Sequence, residues 1–451
     1  MERTRGSRAA GPVAVLAAMT AAVGLGAPAA SAEPFTDQTR LLPPAEASVY
    51  TRFGQAVAMD GDLVAVGHPG RYINSNHRGA VSVFTRDGSS WGNRVDLIPA
   101  ETSTELGVAV HLSGDYLIAG ASSSGMGKAY VFERGSTGWT EEAELAPAYS
   151  PTFNDYATTV AIDGTWAMVG APRTTMPEGP SSGGVVYVYQ RTAGGWASAG
   201  TLTPSDPIQG HWFGYSVAVN GEFAVVGTPG DDSHGDSSGA AYVFHRSGEA
   251  WQQVAKLEAH DADSGDLFGC SVAVCGETIL VGASDDETYG AYSGSAYVFR
   301  LENTAWQQMA KLTAPDHYPS NAFGAHVALS DGYALIGAAG DKQLAAHSGA
   351  AYVFELEGDQ WLPLDKLLPP DGGSCYYGTS VALSGDEGVV GAPRHVGNGR
   401  YDGAAFVITP EPASLSLLAL GALGALRRRR RNPDALPSRR PRPRARGAML
   451  G

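Results

Sequence analysis

The chain has 451 residues, of which 43% are hydrophobic and 17% are charged, and its formal net charge is −15. Both ends are rich in arginine, so the segment from Glu33 to Thr409 is more acidic: it holds 18 Lys and Arg against 43 Asp and Glu, a net charge near −25. Such an acidic body argues against nucleic acid and anionic membrane as partners and is compatible with bound cations or with solubility alone.

Residues 1–32 are predicted to be a secretory signal peptide. Three arginines precede an apolar run, and small residues at Ala30 and Ala32 form the pattern that signal peptidase cleaves, between Ala32 and Glu33. The apolar run is too short and too rich in Ala and Gly for a membrane anchor. We therefore expect the protein to be exported and its mature chain to begin at Glu33.

A unit of 50–57 residues repeats seven times between residues 33 and 409. Two positions in each unit serve as landmarks, and the second landmark is a glycine thirteen residues after the first. A valine always lies three residues after the first landmark. The first landmarks are Gly54, Gly107, Ala157, Gly214, Gly269, Gly324 and Gly378, and the second landmarks are Gly67, Gly120, Gly170, Gly227, Gly282, Gly337 and Gly391.

Each unit has the pattern of four strands, A to D. Strand A alternates with period two, a tight turn such as Asn220-Gly221 leads into strand B, and strand B is apolar on both faces. Strand D begins at a tryptophan and ends at a leucine six residues later, as at Trp251 and Leu257. We predict an all-β fold, a seven-bladed β-propeller of four-stranded antiparallel blades, because radial packing lets each blade cover its neighbours. An open solenoid would need capping repeats, and none is visible.

Two glycine motifs carry a resemblance to a known family. Phe213-Gly214 with Gly227-Thr228-Pro229, and Tyr377-Gly378 with Gly391-Ala392-Pro393, resemble FG-GAP repeats, the blades of integrin-type propellers. The resemblance extends from Phe53 to Val407 and implies the same propeller fold. Integrin-type blades bind calcium in a loop between strands A and B. Here that connection is a tight turn, so those calcium sites are not expected.

The last unit lacks a strand D, and the N-terminus is predicted to supply it. Phe35 and Leu41 are six residues apart, like each Trp and Leu pair, and Leu41-Leu42-Pro43-Pro44 repeats the sequence found at 367–370. We expect residues 35–42 to pair as the outer strand of the seventh blade, which would close the ring and remove an open sheet edge.

Acidic loops between units four and five are the candidate metal site. If the ring forms, three loops converge there, and a Ca²⁺ ion, which accepts six to eight oxygen ligands, would relieve the repulsion between their carboxylates. The alternative is a solvated acidic surface with no ion. The candidate ligands are Asp231, Asp232, Asp236, Asp261, Asp263, Asp266, Asp285, Asp286 and Glu287.

Other residue types point to packing rather than chemistry. The repeated tryptophan position favours packing between blades over sugar binding, and the three cysteines are interpreted as small buried residues. His111 and His326 break the small-residue face of strand A; they could line the central channel, but the favoured interpretation is that each is a tolerated polar substitution. No H-E-x-x-H motif and no cysteine–histidine pairing at a recognisable spacing occurs, so we do not predict an enzyme.

The C-terminal end has three parts in a fixed order. Pro410-Glu411-Pro412 precedes a dozen apolar residues (Leu415–Leu426), and five arginines (Arg427–Arg431) follow. This order resembles the PEP-CTERM sorting tail of Gram-negative bacteria over residues 410–431. The resemblance implies transient membrane anchoring, removal of the tail by an exosortase, and delivery to the cell surface or extracellular matrix. Residues 432–451 are a basic extension whose composition predicts disorder.

Two functions are compatible with these features. The first is a binding or structural module of the cell surface or extracellular matrix that recognises a polymer or a protein. Its site would be the rim that carries the long B–C and D–A connections, because diverse loops on a rigid scaffold usually form binding sites. The alternative is a polysaccharide hydrolase or lyase with its site on the same rim or in the central channel.

Overall fold

The computed structural model describes residues 35, 37–45, 50–74, 76–100, 105–122, 127–147, 155–175, 182–397 and 400–410. Regular structure in these ranges is entirely β-strand, and no helix there could cross a membrane. The predicted signal peptide with its cleavage site at Ala32 and Glu33, and the sorting tail from Glu411 onward, lie outside the described residues.

Seven four-stranded antiparallel sheets form the blades of a propeller, as predicted. The first strand of the chain, β1 (Asp37–Leu41), belongs to blade seven. Blades one to three contain β2 (Ala56–Asp60), β3 (Leu63–Gly67), the small hairpin β4 (Tyr72–Ile73) and β5 (Asn76–His77), β6 (Val81–Asp87), β7 (Ser90–Leu97), β8 (Leu106–Ser113), β9 (Tyr116–Ala121), β10 (Lys128–Gly135), β11 (Gly138–Leu145), β12 (Val160–Asp163), β13 (Trp166–Ala171), β14 (Val185–Thr192) and β15 (Gly195–Leu202).

Blades four to seven continue the same order. Their strands are β16 (Ser216–Asn220), β17 (Phe223–Thr228), β18 (Ala240–Ser247), β19 (Ala250–Leu257), β20 (Phe268–Cys275), β21 (Thr278–Ala283), β22 (Ser295–Glu302), β23 (Ala305–Leu312), β24 (His326–Ser330), β25 (Tyr333–Ala338), β26 (Ala350–Glu357), β27 (Gln360–Leu367), β28 (Ser380–Ser384), β29 (Glu387–Ala392), the small hairpin β30 (Val396–Gly397) and β31 (Arg400–Tyr401), and β32 (Ala404–Thr409).

The strands A form the inner ring of the propeller. Each contacts the strand A of both neighbouring blades, and β2 contacts β28, so the ring is closed. Strands B and C are the buried middle of each blade: in β17, for example, every residue after Phe223 is buried. The core is therefore a series of layers between neighbouring blades, each formed by apolar residues of two sheets.

The second landmark of each blade meets the first landmark of the next blade. A Cβ on Gly227 would lie only 2.0 Å from the carbonyl oxygen of Gly269, the first landmark of the next blade. The same approach recurs at all seven boundaries, including Gly391 against Gly54, where the last blade meets the first. The glycine at the second landmark is thus required because a side chain there would push two blades apart.

Side chains at the end of strand A tie each blade to the next. In five blades, the residue that ends strand A accepts a hydrogen bond from the backbone amide of the following blade's A–B turn, as Asp163 does from Gly221 (2.6 Å). Ser330 donates instead to the carbonyl of Gly385, and the Cys275 thiol lies 3.5 Å from Asp331. Cys275 and Cys270 are half-buried, so only Cys375 fits the prediction of buried cysteines.

Blade seven is closed by the N-terminal strand, as predicted. β1 pairs with β32 in the register Leu41 with Ala405, which matches Leu257 with Ala241 in blade four. The strand itself is shorter than the predicted 35–42, but Phe35 is buried and Leu42 packs against the same core.

Phe35 occupies the place of the tryptophans in the other blades. Its ring meets Tyr333 of the preceding blade edge to face, with centroids 6.1 Å apart. Trp306 packs on Phe223 in the same way, at 5.4 Å, which supports the prediction that the repeated tryptophans pack between blades.

Candidate functional site

The propeller has one plain rim and one loop rim. Every A–B turn, and every C–D turn of blades one to six, has two residues. The B–C and D–A connections have 6 to 14 residues and all lie at the opposite rim, as the sequence predicted. Because the short turns leave little surface for recognition, the loop rim is the candidate binding surface.

Exposed tyrosines distinguish the loop rim from the plain rim. All seven of the strongly exposed tyrosines in the described ranges lie on the loop rim, together with exposed Ile208, Leu344 and Val396. Tyrosine combines a rigid apolar ring with a hydrogen-bonding hydroxyl, and it is enriched in binding interfaces for that reason. The seven are Tyr50, Tyr72, Tyr215, Tyr289, Tyr292, Tyr318 and Tyr401.

Several loop-rim rings stack across the boundary between neighbouring blades. Tyr50 and Tyr401 are nearly parallel, with centroids 5.9 Å apart, and Tyr289 stacks on His317 at 3.8 Å. His347 stacks in parallel on Tyr376, and the Arg394 guanidinium lies 4.6 Å from the same Tyr376 ring. These contacts hold loops of different blades together, so the rim presents fixed aromatic surfaces.

The acidic loops of blades four and five converge as predicted. The amide of Gly265 donates to the carbonyl of Asp236 (2.9 Å), and the amide of Asp285 donates to the carbonyl of Asp266 (3.3 Å). The carboxylates, however, do not form one ligand set: within the part of the chain that the structure describes, no three His, Cys, Asp or Glu side chains are placed to hold a metal ion.

The two most buried of these carboxylates, Asp231 and Asp286, each form an ion pair with a lysine. Lys256 Nζ lies 2.9 Å from Asp231 and 3.0 Å from Asp206, and Lys311 Nζ lies 2.8 Å from Asp286 and 2.7 Å from Asp261. Blade six repeats the arrangement: Lys366 contacts Asp316 and Asp341. A buried tyrosine hydroxyl of strand C donates to the same carboxylates, for example Tyr297 to Asp286 at 2.8 Å. We call this unit of lysine, two aspartates and tyrosine the lysine bridge.

The lysine bridge keeps its buried aspartate charged. Burial alone would raise the pKa of Asp286, but hydrogen bonds from Lys311 and Thr288 outweigh it and lower that pKa below its usual value. The pKa of Lys311 is raised, because its hydrogen bonds to the two aspartates outweigh the opposite effect of burial. Each bridge is thus an ion pair that joins a D–A loop to the B–C loop of the same blade.

The other candidate ligands serve local loop contacts. Asp232 and Asp263 accept backbone amides within their own loops, from Ser237 and Ser264. Asp236 and Asp285 each accept a serine hydroxyl, Asp266 accepts the amide of Asp263, and Glu287 is exposed. Ca²⁺ binding at these loops therefore stays a prediction, without a preformed set of nine ligands.

A cavity of about 780 Å³ follows the propeller axis and is lined by strand A of all seven blades. His111 and His326 both line it. The amide of Ile162 donates to Nδ1 of His111 (3.4 Å), and burial lowers the pKa of His111. Desolvation inside the channel also lowers the pKa of His326, to about 4, although its side chain is accessible from the cavity. Both imidazoles are therefore neutral at pH 7.

The mouth of this cavity on the loop rim carries aromatic and charged side chains that sequence reasoning missed. Trp212, Tyr215, Asp155 and Arg173 all line it, and Arg173 Nε lies 3.2 Å from Asp155. The amide of Tyr215 donates to the carbonyl of Trp212 (3.1 Å), which joins the two aromatic residues in one tight turn. The available signal was Trp212 itself, which does not occupy the strand D position of the repeated tryptophans.

Known protein families match two parts of the chain. The FG-GAP repeat matches five segments that together make up more than half of the chain, residues 35–84, 196–244, 251–299, 306–354 and 361–408. Each begins at the aromatic residue of a strand D, and the first begins at Phe35. The PEP-CTERM protein-sorting motif matches residues 409–431. No curated protein matches the chain.

Solved structures show a general likeness only. The chain is similar to Saccharomyces cerevisiae Sqt1 (13% identity, TM-score 0.43), with 84% of this chain and 89% of that chain covered. It is similar to the WD40 domain of Toxoplasma gondii coronin (9% identity, TM-score 0.46), with 85% of this chain and 90% of that chain covered. It is also similar to a protein from Lactobacillus plantarum (12% identity, TM-score 0.45), with 71% of this chain and 86% of that chain covered.

Proposed function

Because this chain belongs to the FG-GAP repeat family and carries a PEP-CTERM sorting motif at residues 409–431, it is an exported surface protein, and we propose that it binds an extracellular polymer or protein through its loop rim. The observation that carries this proposal is the one-sided distribution of exposed tyrosines: all seven lie on the loop rim. Large apolar side chains that are exposed together on one face are typical of interaction sites.

The positions of the chain ends support the loop rim as the binding surface. Asp37 pairs with Thr409 at the plain rim, and the sorting motif follows Thr409 directly. As long as the tail is attached, an anchor that begins there would hold the plain rim toward the membrane and turn the loop rim outward. The tyrosines are then on the side that meets extracellular molecules.

We propose binding without catalysis. His111 and His326 belong to blades two and six, and in the described ranges neither forms a hydrogen bond with a carboxylate. A histidine general base usually has such a partner to orient it. Delivery to the extracellular matrix, as distinct from the cell surface, is part of the proposal.

The test compares two sets of substitutions in the secreted protein. Tyr50→Ser, Tyr289→Ser, Tyr318→Ser and Tyr401→Ser together should weaken binding to the envelope and matrix fractions of the producing cells at least about 10-fold, since a few aromatic residues carry most of an interface's affinity. The matched control changes three exposed plain-rim residues, Asp115, Glu249 and Glu277, to Ser and should bind normally. Equal binding by both variants would exclude the loop rim as the binding surface.

A further inference from the structure

The aromatic residues at the channel mouth are not required by the fold. The position two residues before the first landmark has φ between +49° and +63° in all seven blades, so the backbone there is the same throughout. Blades five and six carry Leu267 and Ala322 where blade four has Trp212. Tyr215 likewise corresponds to Cys270 and Ala325 in those blades. A residue as small as alanine satisfies the packing at both positions.

Both aromatic side chains are accessible at the channel mouth. Trp212 lines the cavity and its side chain is partly exposed. Half of the Tyr215 side chain is exposed at the same mouth, with 49% of its surface accessible. Two aromatic surfaces are therefore available to a ligand.

Polar groups face the same space. Asp155 and Arg173 form an ion pair at the cavity mouth, and both side chains remain partly exposed. Gln55 and Thr158 line the cavity as well. Together these side chains supply several hydrogen-bond donors and acceptors, while the charges of Asp155 and Arg173 compensate each other. The cavity is in the size range of small-molecule sites.

We propose that the channel mouth binds a neutral saccharide unit, with a sugar ring stacked on Trp212 or Tyr215 and its hydroxyls bonded to Asp155 and Arg173. A pyranose has apolar C–H faces and a polar hydroxyl edge, which matches aromatic rings beside a compensated ion pair. The body's net charge near −25 repels anionic polymers, so a neutral glycan is favoured over a uronic acid polymer. This inference rests on the proposed function and assigns its ligand class.

The experiment titrates the secreted protein with neutral oligosaccharides of glucose, mannose, galactose and N-acetylglucosamine, and with polygalacturonate. We expect a saturable change in tryptophan fluorescence with at least one neutral sugar and none with polygalacturonate. Trp212→Phe should keep the affinity measured by calorimetry within about threefold but lose the fluorescence change. Trp212→Leu, which takes the residue of blade five, should bind at least tenfold more weakly, as should Tyr215→Thr.

The outcomes separate this inference from the proposed function. Normal saccharide binding by Trp212→Leu, with its melting temperature unchanged, would overturn the channel-mouth site. So would a ligand that proves to be a protein or an anionic polymer. If the channel-mouth variants bind the cell fractions normally and the Tyr→Ser variant does not, the loop rim is the binding surface and only the saccharide site fails. If neither set of variants affects binding, both proposals fail.

Discussion

Asp231, Asp286 and Asp341 are almost completely buried, and each lies in a lysine bridge with the same internal spacing. The D–A aspartate precedes the buried aspartate by 25 residues, the tyrosine follows it by 11, and the lysine follows the tyrosine by 14. Blade one has the same contact with its charges exchanged: Arg71 replaces the buried aspartate, and Asp96 replaces the lysine at 2.7 Å. The site therefore selects for a compensated ion pair rather than for a particular sign.

Removal of one lysine should be costly for this reason. Lys311→Met leaves Asp286 buried without its cation, and breaking such a pair costs about 3–5 kcal/mol of unfolding free energy. Denaturant unfolding measures the loss. Lys342→Met, which changes an exposed lysine of a B–C loop in blade six, is the matched control and should unfold like the wild type. Equal stability of the two variants would contradict the role given to the bridge.

The side chain of Asp266 should make the stability of the fold depend on pH. Burial, and then the nearby charge of Asp286, raise the pKa of Asp266 to about 6 from an ordinary value of 3.8. The folded state thus holds a proton that the unfolded state releases, and stability falls as pH rises from about 4 to 6. Asp266→Asn removes this loss, so its stability relative to wild type should rise by up to about 3 kcal/mol between pH 4 and pH 7. A pH-independent difference between the two proteins would refute the shifted pKa.

At the scale of elements, β1 is a strand D supplied from the other end of the chain. Phe35→Ala should lower the unfolding free energy by about 3–5 kcal/mol, because a fully buried ring that packs on Tyr333 is lost. Phe35→Trp, which restores the residue of the other blades, is the control and should retain most of the stability.

A chain that begins at Ala45 exposes the edge of β32 and should melt much earlier or aggregate. Unchanged melting of that shorter chain would refute the closure.

The blades could be predicted from the sequence because their determinants are local and repeated. Period-two alternation, two-residue turns and the landmark glycines recur in every unit, and the missing strand D pointed to Phe35 and Leu41. The lysine bridge could not be predicted in the same way, although its spacing recurs in three units of the sequence. Its residues come from a D–A loop, a B–C loop and strands C and D, and only the fold shows that these meet. The acidic loops were predicted to converge, but the lysines that neutralise them were not considered.

For the whole molecule, the acidic loops decide how it responds to calcium. If the acidic loops are a solvated surface with no ion, in which Lys256 and Lys311 compensate Asp231 and Asp286, then millimolar Ca²⁺ and EDTA leave the melting temperature unchanged. The predicted calcium site requires the contrary result: a rise in melting temperature with Ca²⁺ that Asp263→Ala together with Asp266→Ala abolishes. Calorimetry on the secreted protein distinguishes the two.

The sorting motif predicts a shorter mature protein. Processing by an exosortase-like enzyme should remove the apolar segment and the arginines that follow Pro410, Glu411 and Pro412. Mass spectrometry of surface material should therefore detect peptides from every blade but none beyond about Pro412. Recovery of Arg427–Arg431 in the mature protein would contradict this prediction.

The pairing of β1 with β32 also sets the order in which an exported chain can mature. β1 is among the first residues of the body to cross the membrane, and its partner is the last strand to do so. Six blades can form while translocation proceeds, but the seventh must wait for residues 404–409. Until those residues are available the ring stays open, and β29 lacks one of its two neighbouring strands. Closure of the ring therefore requires the whole body of the chain up to Thr409, the residue at which the sorting motif begins.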